Sequence, residues 1–227
     1  MIEKIAHIRE RIRQAAISCG RDPEAIRLVA VTKTVLQEHI RQAIDAGLRI
    51  FGESYIQEAV TKIDTIADKE VSWHFIGHLQ SNKAKIAVRC FDLIHSVDSL
   101  SLAEALNRQA ERINKIQNIL VQVNISREST KSGTAVQEAI ELVNAIRWME
   151  NLSVKGLMTI PPFFDQPEKV RPYFKALADL KNQIRKQSIP GNEMNELSMG
   201  MTGDFEVAIE EGSTLVRIGT AIFGERP

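Results

Sequence analysis

Short apolar runs alternate with amphipathic stretches along almost the whole chain, and this alternation is the feature that most constrains the fold. After a first helical segment over residues 2–18, it predicts eight strands joined by seven helices. The predicted strands cover residues 26–33, 49–54, 72–77, 92–97, 118–126, 153–160, 195–200 and 214–220. Strict alternation requires parallel strands with helical crossovers, and eight nearly continuous apolar strands favour closure into a barrel.

From this pattern we predict an α/β protein built as a single TIM-like (β/α)8 barrel with an extra N-terminal helix. The N-terminal helix lies within residues 1–20, eight βα units occupy residues 26–220, and one domain spans residues 1–227. A chain of 227 residues with 44% hydrophobic content can bury one such core. The last predicted strand ends so close to residue 227 that we expect no second domain. An open doubly wound sheet is the alternative fold.

Charge and composition exclude several classes of protein. The 29 lysine and arginine residues balance 29 aspartate and glutamate residues, so we expect no binding to nucleic acid or to an anionic membrane. No apolar run is long enough to span a bilayer. Cys19 and Cys90 lack metal or redox spacing, and the first segment is a charged amphipathic helix rather than a signal peptide. We therefore predict a cytoplasmic protein with a small ligand.

Lys33 is the residue most indicative of chemistry. In barrels of this type the active site lies at the carboxyl ends of the strands, and Lys33 directly follows the run VAVT of the first strand. We expect the base of this side chain to lie in the packed barrel, where burial favours the uncharged amine, a nucleophile toward an aldehyde. The alternative is a solvated loop lysine.

The loops after the seventh and eighth strands predict an anion site. The seventh strand runs into SMGMTGDFEVAIEEG, where a turn rich in Ser, Gly and Thr precedes a short helix. Backbone amides at that helix start would bind an anion together with the hydroxyls of Ser198 and Thr202. Gly219 and Thr220 would face the anion from the neighbouring loop, where such barrels often bind phosphate. An ordinary helix cap at Thr202 or Asp204 is the alternative.

Arg217 lies within the apolar strand TLVRIGT, where an unpaired charge would be costly. It therefore needs an anion or an acceptor. A pyridine nitrogen is one such acceptor, and arginine is a known partner of that atom in pyridoxal phosphate sites. A buried ion pair with a glutamate such as Glu53 is the alternative.

Two histidines, His74 and His78, are four residues apart, a spacing that would suit a metal ion on a helix. The strand pattern of WHFIG and the glycine that ends it place them on different elements. We therefore expect loop packing or site lining rather than a metal site.

Several motifs together resemble one known family. They are VAVTKT around Lys33, FGESYIQEA, HFIGHLQSNKAK, VNIS followed by KSG, GLMTI, and LSMGMTGDFEVAIEEGSTLVRIGTAIFG. In this order they resemble the YggS/PROSC-type pyridoxal phosphate homeostasis proteins, from about residue 26 to the end of the chain. The resemblance implies a barrel like the N-terminal domain of bacterial alanine racemase, in a monomeric or weakly associated protein.

The resemblance also implies a cofactor, pyridoxal 5′-phosphate (PLP), held as a Schiff base on Lys33. The phosphate would contact the Ser198–Thr202 turn, and Arg217 would contact the pyridine nitrogen. The full set of implied cofactor contacts is Lys33, Ser54, Tyr55, Ser198, Met199, Thr202, Arg217, Gly219 and Thr220. The family usually has FGENY where this chain has FGESY, so a hydrogen bond from that amide is in doubt at Ser54.

A role in PLP homeostasis and amino-acid balance follows from the resemblance, with PLP-dependent apo-enzymes as recipients and without robust catalysis. The alternative is an amino-acid racemase that uses Lys33 and Tyr55. Racemisation needs acid–base groups on both faces of a substrate carbanion. Tyr173 falls in a predicted helix, so Tyr55 is the only tyrosine that could oppose Lys33, and we expect no further domain to close the site from water.

Overall fold

Eight parallel strands close into a barrel in the computed structural model, with each strand paired to its neighbours in sequence order and β8 paired to β1. The structure describes residues 1–126, 128, 132–187 and 192–225. The strands are β1 Arg27–Val31, β2 Ile50–Glu53, β3 Ser72–Phe75, β4 Leu93–Val97, β5 Gln117–Gln122, β6 Leu152–Met158, β7 Asn192–Ser198 and β8 Leu215–Ile218. The predicted barrel is therefore confirmed, and the open sheet is excluded.

The helices cover the outside of the barrel and follow the predicted order. They are α1 Ile2–Ser18, α2 Gln37–Asp45, α3 Ile56–Ile66, α4 Ala84–Cys90, α5 Leu100–Glu111, α6 Val136–Ile146, α7 Arg171–Lys186, α8 Phe205–Glu210 and α9 Thr220–Phe223. Their buried faces recur at helical spacing, as in Ile5, Ile8 and Ile12 of α1. None of these helices in the described part of the chain is long and apolar enough to cross a membrane.

Two layers of side chains form the core. The larger one lies between strands and helices and includes Phe51, Phe174 and Phe205. The smaller one groups side chains of five strands around the partly buried Ile50: Val29, Leu93, Leu120, Met158 and Leu215. The barrel is thus a packed core with its functional surface at one end, as its fold class requires.

Two of the boundaries that differ from the prediction lie at the eighth strand and before α7. The strand predicted over 214–220 ends at Ile218, because the backbone at Gly219 leaves the extended region and Thr220 begins α9. The predicted helix over 167–187 begins as a 3-10 turn over Pro167–Val170. Lys131, in the KSG motif, lies outside the described residues.

Candidate functional site

A cavity of about 280 Å³ opens at the carboxyl ends of the strands and brings together residues from distant parts of the sequence. Its described lining includes Lys33, Ser54, Thr202, Arg217, Gly219 and Thr220. A second cavity of about 310 Å³ shares Lys33 and Ser54 with it and adds Tyr55. Seven of the nine predicted contact residues therefore line these two adjoining cavities.

The turn that carries Lys33 is held by a buried ion network. Lys62, on α3, is buried and donates hydrogen bonds to the Thr32 carbonyl at 2.5 Å, to Glu53 at 2.8 Å and to Glu58 at 2.6 Å. Glu53 is fully buried at the end of β2. One ammonium group thus joins the end of β1, the end of β2 and α3.

The same network fixes the residues on both sides of Lys33. The Thr32 hydroxyl donates to Glu53 at 2.6 Å, and the Thr34 amide donates to Glu58 at 2.6 Å. Thr34 adopts a left-handed backbone with a φ of 62°, which is uncommon for a residue with a side chain. Its amide bond to Glu58 holds this conformation in place, so the direction in which Lys33 leaves the backbone is determined by its neighbours.

Burial dominates the electrostatics of this network. Burial raises the pKa of Glu53, while the hydrogen bonds from Lys62 and Thr32 act in the opposite direction. The second carboxylate oxygen of Glu53 is buried and has no hydrogen-bond partner among the described residues. Lys33 itself is half-buried, which differs from the deeper burial expected, because β1 ends at Val31 and Lys33 lies in the turn beyond it.

The loops after β7 and β8 face each other across the first cavity, as predicted. The hydroxyls of Thr202 and Thr220 lie 3.2 Å apart. At Gly203 a side chain would meet no atom within 4 Å, so the backbone of this turn is open. Thr220 begins α9, and the first amides of a helix have no acceptor within the helix. The Thr220 hydroxyl donates to the Thr202 hydroxyl, and both residues line the first cavity.

Asp204 closes the turn that contains Thr202. Its carboxylate accepts a hydrogen bond from the Met201 amide at 2.5 Å, so it stabilises the loop rather than the start of α8. Burial raises the pKa of Asp204, and the Met201 bond and the charge of Arg217 oppose that effect. The predicted alternative of a simple helix cap therefore does not describe Asp204.

Ser198 and Met199 lie beneath the cavities and are fully buried. The Ser198 hydroxyl is 2.9 Å from Nδ1 of His95 and 2.5 Å from a guanidinium nitrogen of Arg217. The Met199 amide donates to the Leu215 carbonyl at 3.2 Å. The Ser198 hydroxyl thus supports Arg217, because Ser198 ends β7 with its side chain inside the barrel.

Arg217 is buried but lines the first cavity. It donates to Ser198 and, at 2.9 Å, to the Thr159 carbonyl. Burial lowers the pKa of Arg217 to about 10, and the charge of Asp204 acts in the opposite direction. No carboxylate of the described residues lies within ion-pair distance, and Glu53, the alternative partner, is bonded to Lys62 instead.

Three residues of these networks had no predicted role: Lys62, Glu58 and His95. His74 lies buried on β3, within the predicted strand, with its Nδ1 3.0 Å from Nε2 of His95. His78 lies in the loop after β3, where it is exposed and lines the second cavity. In the described parts of the chain no three histidine, cysteine or acidic side chains cluster in a way that could hold a metal ion.

The two tyrosines have different environments. Tyr55 is 57% exposed at the rim of the second cavity. Tyr173 stacks on Phe164, with ring centroids 6.0 Å apart, and Phe164 in turn lines the first cavity. Tyr55 therefore stays the tyrosine nearest to the chemistry in the described part of the site.

A larger cavity of about 680 Å³ lies at the opposite end of the barrel, against α1 and the starts of β1 and β2. Its lining includes four arginines that are exposed and already bonded: Arg9 to a carbonyl, Arg13 and Arg27 to carboxylates, and Arg49 to carbonyls. Size alone does not identify the functional site, because no buried reactive group faces this larger cavity among its described lining residues.

Comparisons with known proteins show the family to which this chain is related. The model of the alanine racemase N-terminal domain family matches residues 4–227. A pyridoxal phosphate homeostasis protein of Aquifex aeolicus is 42% identical over 99% of this chain and 97% of its own length. That of Escherichia coli K12 is 44% identical over 98% of this chain and 95% of its own. PipY of Synechococcus elongatus, solved with PLP bound, is 32% identical with a TM-score of 0.86, covering 98% of this chain and 99% of PipY.

The ion network around Lys62 predicts a stability effect. Lys62→Met should lower the free energy of unfolding by about 3–5 kcal/mol, because it leaves the buried Glu53 carboxylate without its cation. Urea denaturation measures this loss. Adding Glu53→Gln should restore much of it, and Lys69→Met, at an exposed lysine, should change stability by no more than about 0.5 kcal/mol. Equal small effects of the two lysine substitutions would contradict the proposed importance of the network.

The facing loops predict binding of an anion. Inorganic phosphate at ten times its dissociation constant should stabilise the protein by about 1.4 kcal/mol and raise its melting temperature by roughly 3–6 °C. The double variant Thr202→Val and Thr220→Val should lose this increase, because it removes both hydroxyls. Differential scanning fluorimetry at matched ionic strength checks the effect, with Thr61→Val as the control. A shift that persists undiminished in the double variant would place the anion elsewhere.

Proposed function

This chain belongs to the alanine racemase N-terminal domain family and, within it, to the pyridoxal phosphate homeostasis proteins, and on that premise we propose that it binds PLP at Lys33. The observation that carries the proposal is the donor set around one cavity. An amine, a buried guanidinium and two facing hydroxyls surround it, from Lys33, Arg217, Thr202 and Thr220. PLP carries three groups that match them: an aldehyde, a pyridine nitrogen and a phosphate.

We assign each part of the site a role in holding PLP. The Lys33 amine is the covalent anchor, since primary amines combine with the aldehyde that PLP supplies when it is bound. The Thr202 turn and the Gly219–Thr220 loop bind the phosphate. Arg217 donates to the ring nitrogen, which is consistent with a guanidinium that has neutral partners on one side and a cavity on the other.

The remaining predicted contacts have supporting roles in this proposal. Ser54 lines both cavities and reaches the ligand in place of the asparagine usual in the family. The backbone carbonyl of Ser54 packs closely on Gly77, because a Cβ atom at position 77 would lie 2.1 Å from the Ser54 carbonyl oxygen. Ser198 and Met199 lie beneath the cavity. Ser198 accepts a hydrogen bond from Arg217, and the Met199 amide bonds to the Leu215 carbonyl.

We propose that the protein carries and buffers PLP rather than turning over amino acids. The relatives are named for PLP homeostasis, and a charged guanidinium at the ring nitrogen weakens the cofactor as an electron sink for a carbanion. The rim of the site is open: Tyr55 is 57% and Phe163 84% exposed. Carbanion chemistry is favoured by closure from water, whereas release of a cofactor is favoured by access.

Apo-enzymes that depend on PLP are the recipients in this proposal, and the working unit is a monomer. A second candidate function is an amino-acid racemase, and one observation favours it: Lys33 and Tyr55 line the same cavity. The exposure of Tyr55 argues against it, because a proton held there exchanges with water.

Lys33 is predicted to be the attachment point. The protein mixed with PLP should show a visible absorption band that Lys33→Ala abolishes and Lys69→Ala leaves unchanged. Borohydride reduction followed by peptide mapping should place the label on the Lys33 peptide. A label on Lys83 or Lys131 would contradict the assignment of the site.

Absence of racemase turnover is also predicted. In deuterated water the PLP-loaded protein should exchange the α-proton of L-alanine far more slowly than once per second, a rate within the usual range of enzymes. Proton NMR of the amino acid follows the exchange. Exchange at about one per second or faster that depends on both Lys33 and Tyr55, lost in Lys33→Ala and in Tyr55→Phe, would establish the racemase instead.

A further inference from the structure

Four polar side chains form a hydrogen-bonded chain across the inside of the barrel. They come from β3, β4, β7 and β8, in the order His74, His95, Ser198 and Arg217. The contacts are 3.0 Å between the two histidines, 2.9 Å from His95 to Ser198 and 2.5 Å from Ser198 to Arg217. All four residues are at least 95% buried. The chain therefore connects one wall of the barrel to the guanidinium that lines the cavity on the other wall.

Burial disfavours the charged form of both histidines, and a neutral imidazole carries one ring proton. Burial lowers the pKa of His74 to about 3, with the charge of Arg27 acting in the same direction. Burial also lowers the pKa of His95 well below its usual range, and His74, Arg217 and Arg27 add to that effect. Each ring must then use one nitrogen as a donor and the other as an acceptor.

The chemistry of Arg217 determines the direction of every bond in the chain. A guanidinium only donates, so the Ser198 oxygen accepts from it. Within the described structure that oxygen contacts only Arg217 and His95, so its own hydrogen is donated to Nδ1 of His95. His95 must then carry its proton on Nε2 and donate it to Nδ1 of His74. A reversed histidine pair would leave the Ser198 hydrogen buried without an acceptor.

We propose that His95, supported by His74, is a positioning residue for the cofactor ring. By accepting at Nδ1, His95 keeps the Ser198 oxygen available as an acceptor for one edge of Arg217. Ser198 and the Thr159 carbonyl then hold two guanidinium nitrogens from behind, which directs the remaining N–H groups toward the cavity. This inference rests on the proposed function, in which Arg217 faces the ring nitrogen of PLP.

The neutral character of the chain has a consequence for the cofactor. A carboxylate bonded to Arg217 from behind would offset the guanidinium charge. The hydrogen-bonded chain behind Arg217 contains a serine and two histidines instead, and none of these three side chains carries a negative charge. The guanidinium then faces the ring nitrogen as a donor, which keeps that nitrogen an acceptor without a proton. The barrel interior thus contributes to affinity for the ring while disfavouring a protonated pyridine.

The test compares PLP with its deaza analogue, in which a C–H group replaces the ring nitrogen. Wild-type protein should bind PLP about tenfold or more tightly than the analogue, because the analogue cannot accept from Arg217. His95→Leu and Ser198→Ala should reduce this preference to less than about threefold. His95→Asn, whose carbonyl oxygen can accept near the place of Nδ1, should retain most of it. A purely structural role would weaken both ligands equally and leave their ratio unchanged.

A matched control is Gln117→Leu, at a buried polar residue of β5 that bonds to backbone carbonyls away from the cavities. It should leave the preference for PLP unchanged. If wild-type protein shows no preference, the ring contact of Arg217 in the proposed function is wrong, and this inference with it. If wild-type protein shows the preference and His95→Leu keeps it in full, the proposed function stands and the positioning role is overturned.

A second measurement needs neither variants nor cofactor. Nitrogen-15 NMR of histidine-labelled wild-type protein without PLP reports which ring nitrogen carries the proton. The proposal expects His95 and His74 both neutral at pH 7 with their protons on Nε2. A proton on Nδ1 of His95, or a charged imidazolium, would overturn it even if His95→Leu failed to fold.

Discussion

Closure of the barrel by pairing of β1 with β8 is the constraint on which the candidate site depends. The register places Val29 beside Arg217 and Ala30 beside Ile218. The lysine that follows β1 and the glycine–threonine pair that follows β8 therefore meet at the same end of the barrel. The start and the end of the repeating part therefore supply neighbouring parts of one cavity. An open sheet of the same strands would separate these two edges and would have no such site.

The interior around this site contains more polar groups than packing alone requires. Arg217, His74, His95, Lys62 and Glu53 are all buried, and each replaces apolar contacts that would cost less to desolvate. Each of these side chains is hydrogen-bonded within one of two groups. The group behind Lys33 is ionic, and the group behind Arg217 consists of neutral histidines and a serine. Stability alone does not account for this choice of residues, whereas a rigid binding site does.

Much of the fold and part of the site could be predicted from the sequence. The eight strands, the lysine after β1, the facing loops and the buried arginine all follow from apolar runs and the residues that end them. The supporting residues could not be found in this way. Glu58 and Lys62 are four residues apart on α3, which reads as a solvated pair until the helix is packed on the barrel. His95 lies in a strand buried on both faces, where alternation no longer distinguishes inside from outside.

Ser198 shows what local composition leaves open about the role of a hydroxyl. Its neighbours are rich in glycine and hydroxyl groups, which suggested an anion ligand, but it is the last residue of β7 and its side chain lies inside the barrel. One residue type can bind an anion or support a cation, and only its place in the strand decides which.

The site therefore has two layers with different requirements. Groups at the mouth match the ligand, and groups beneath hold those in place, so the inner layer restricts geometry while the exposed rim leaves the ligand accessible. This combination favours holding and releasing a cofactor over enclosing a reaction.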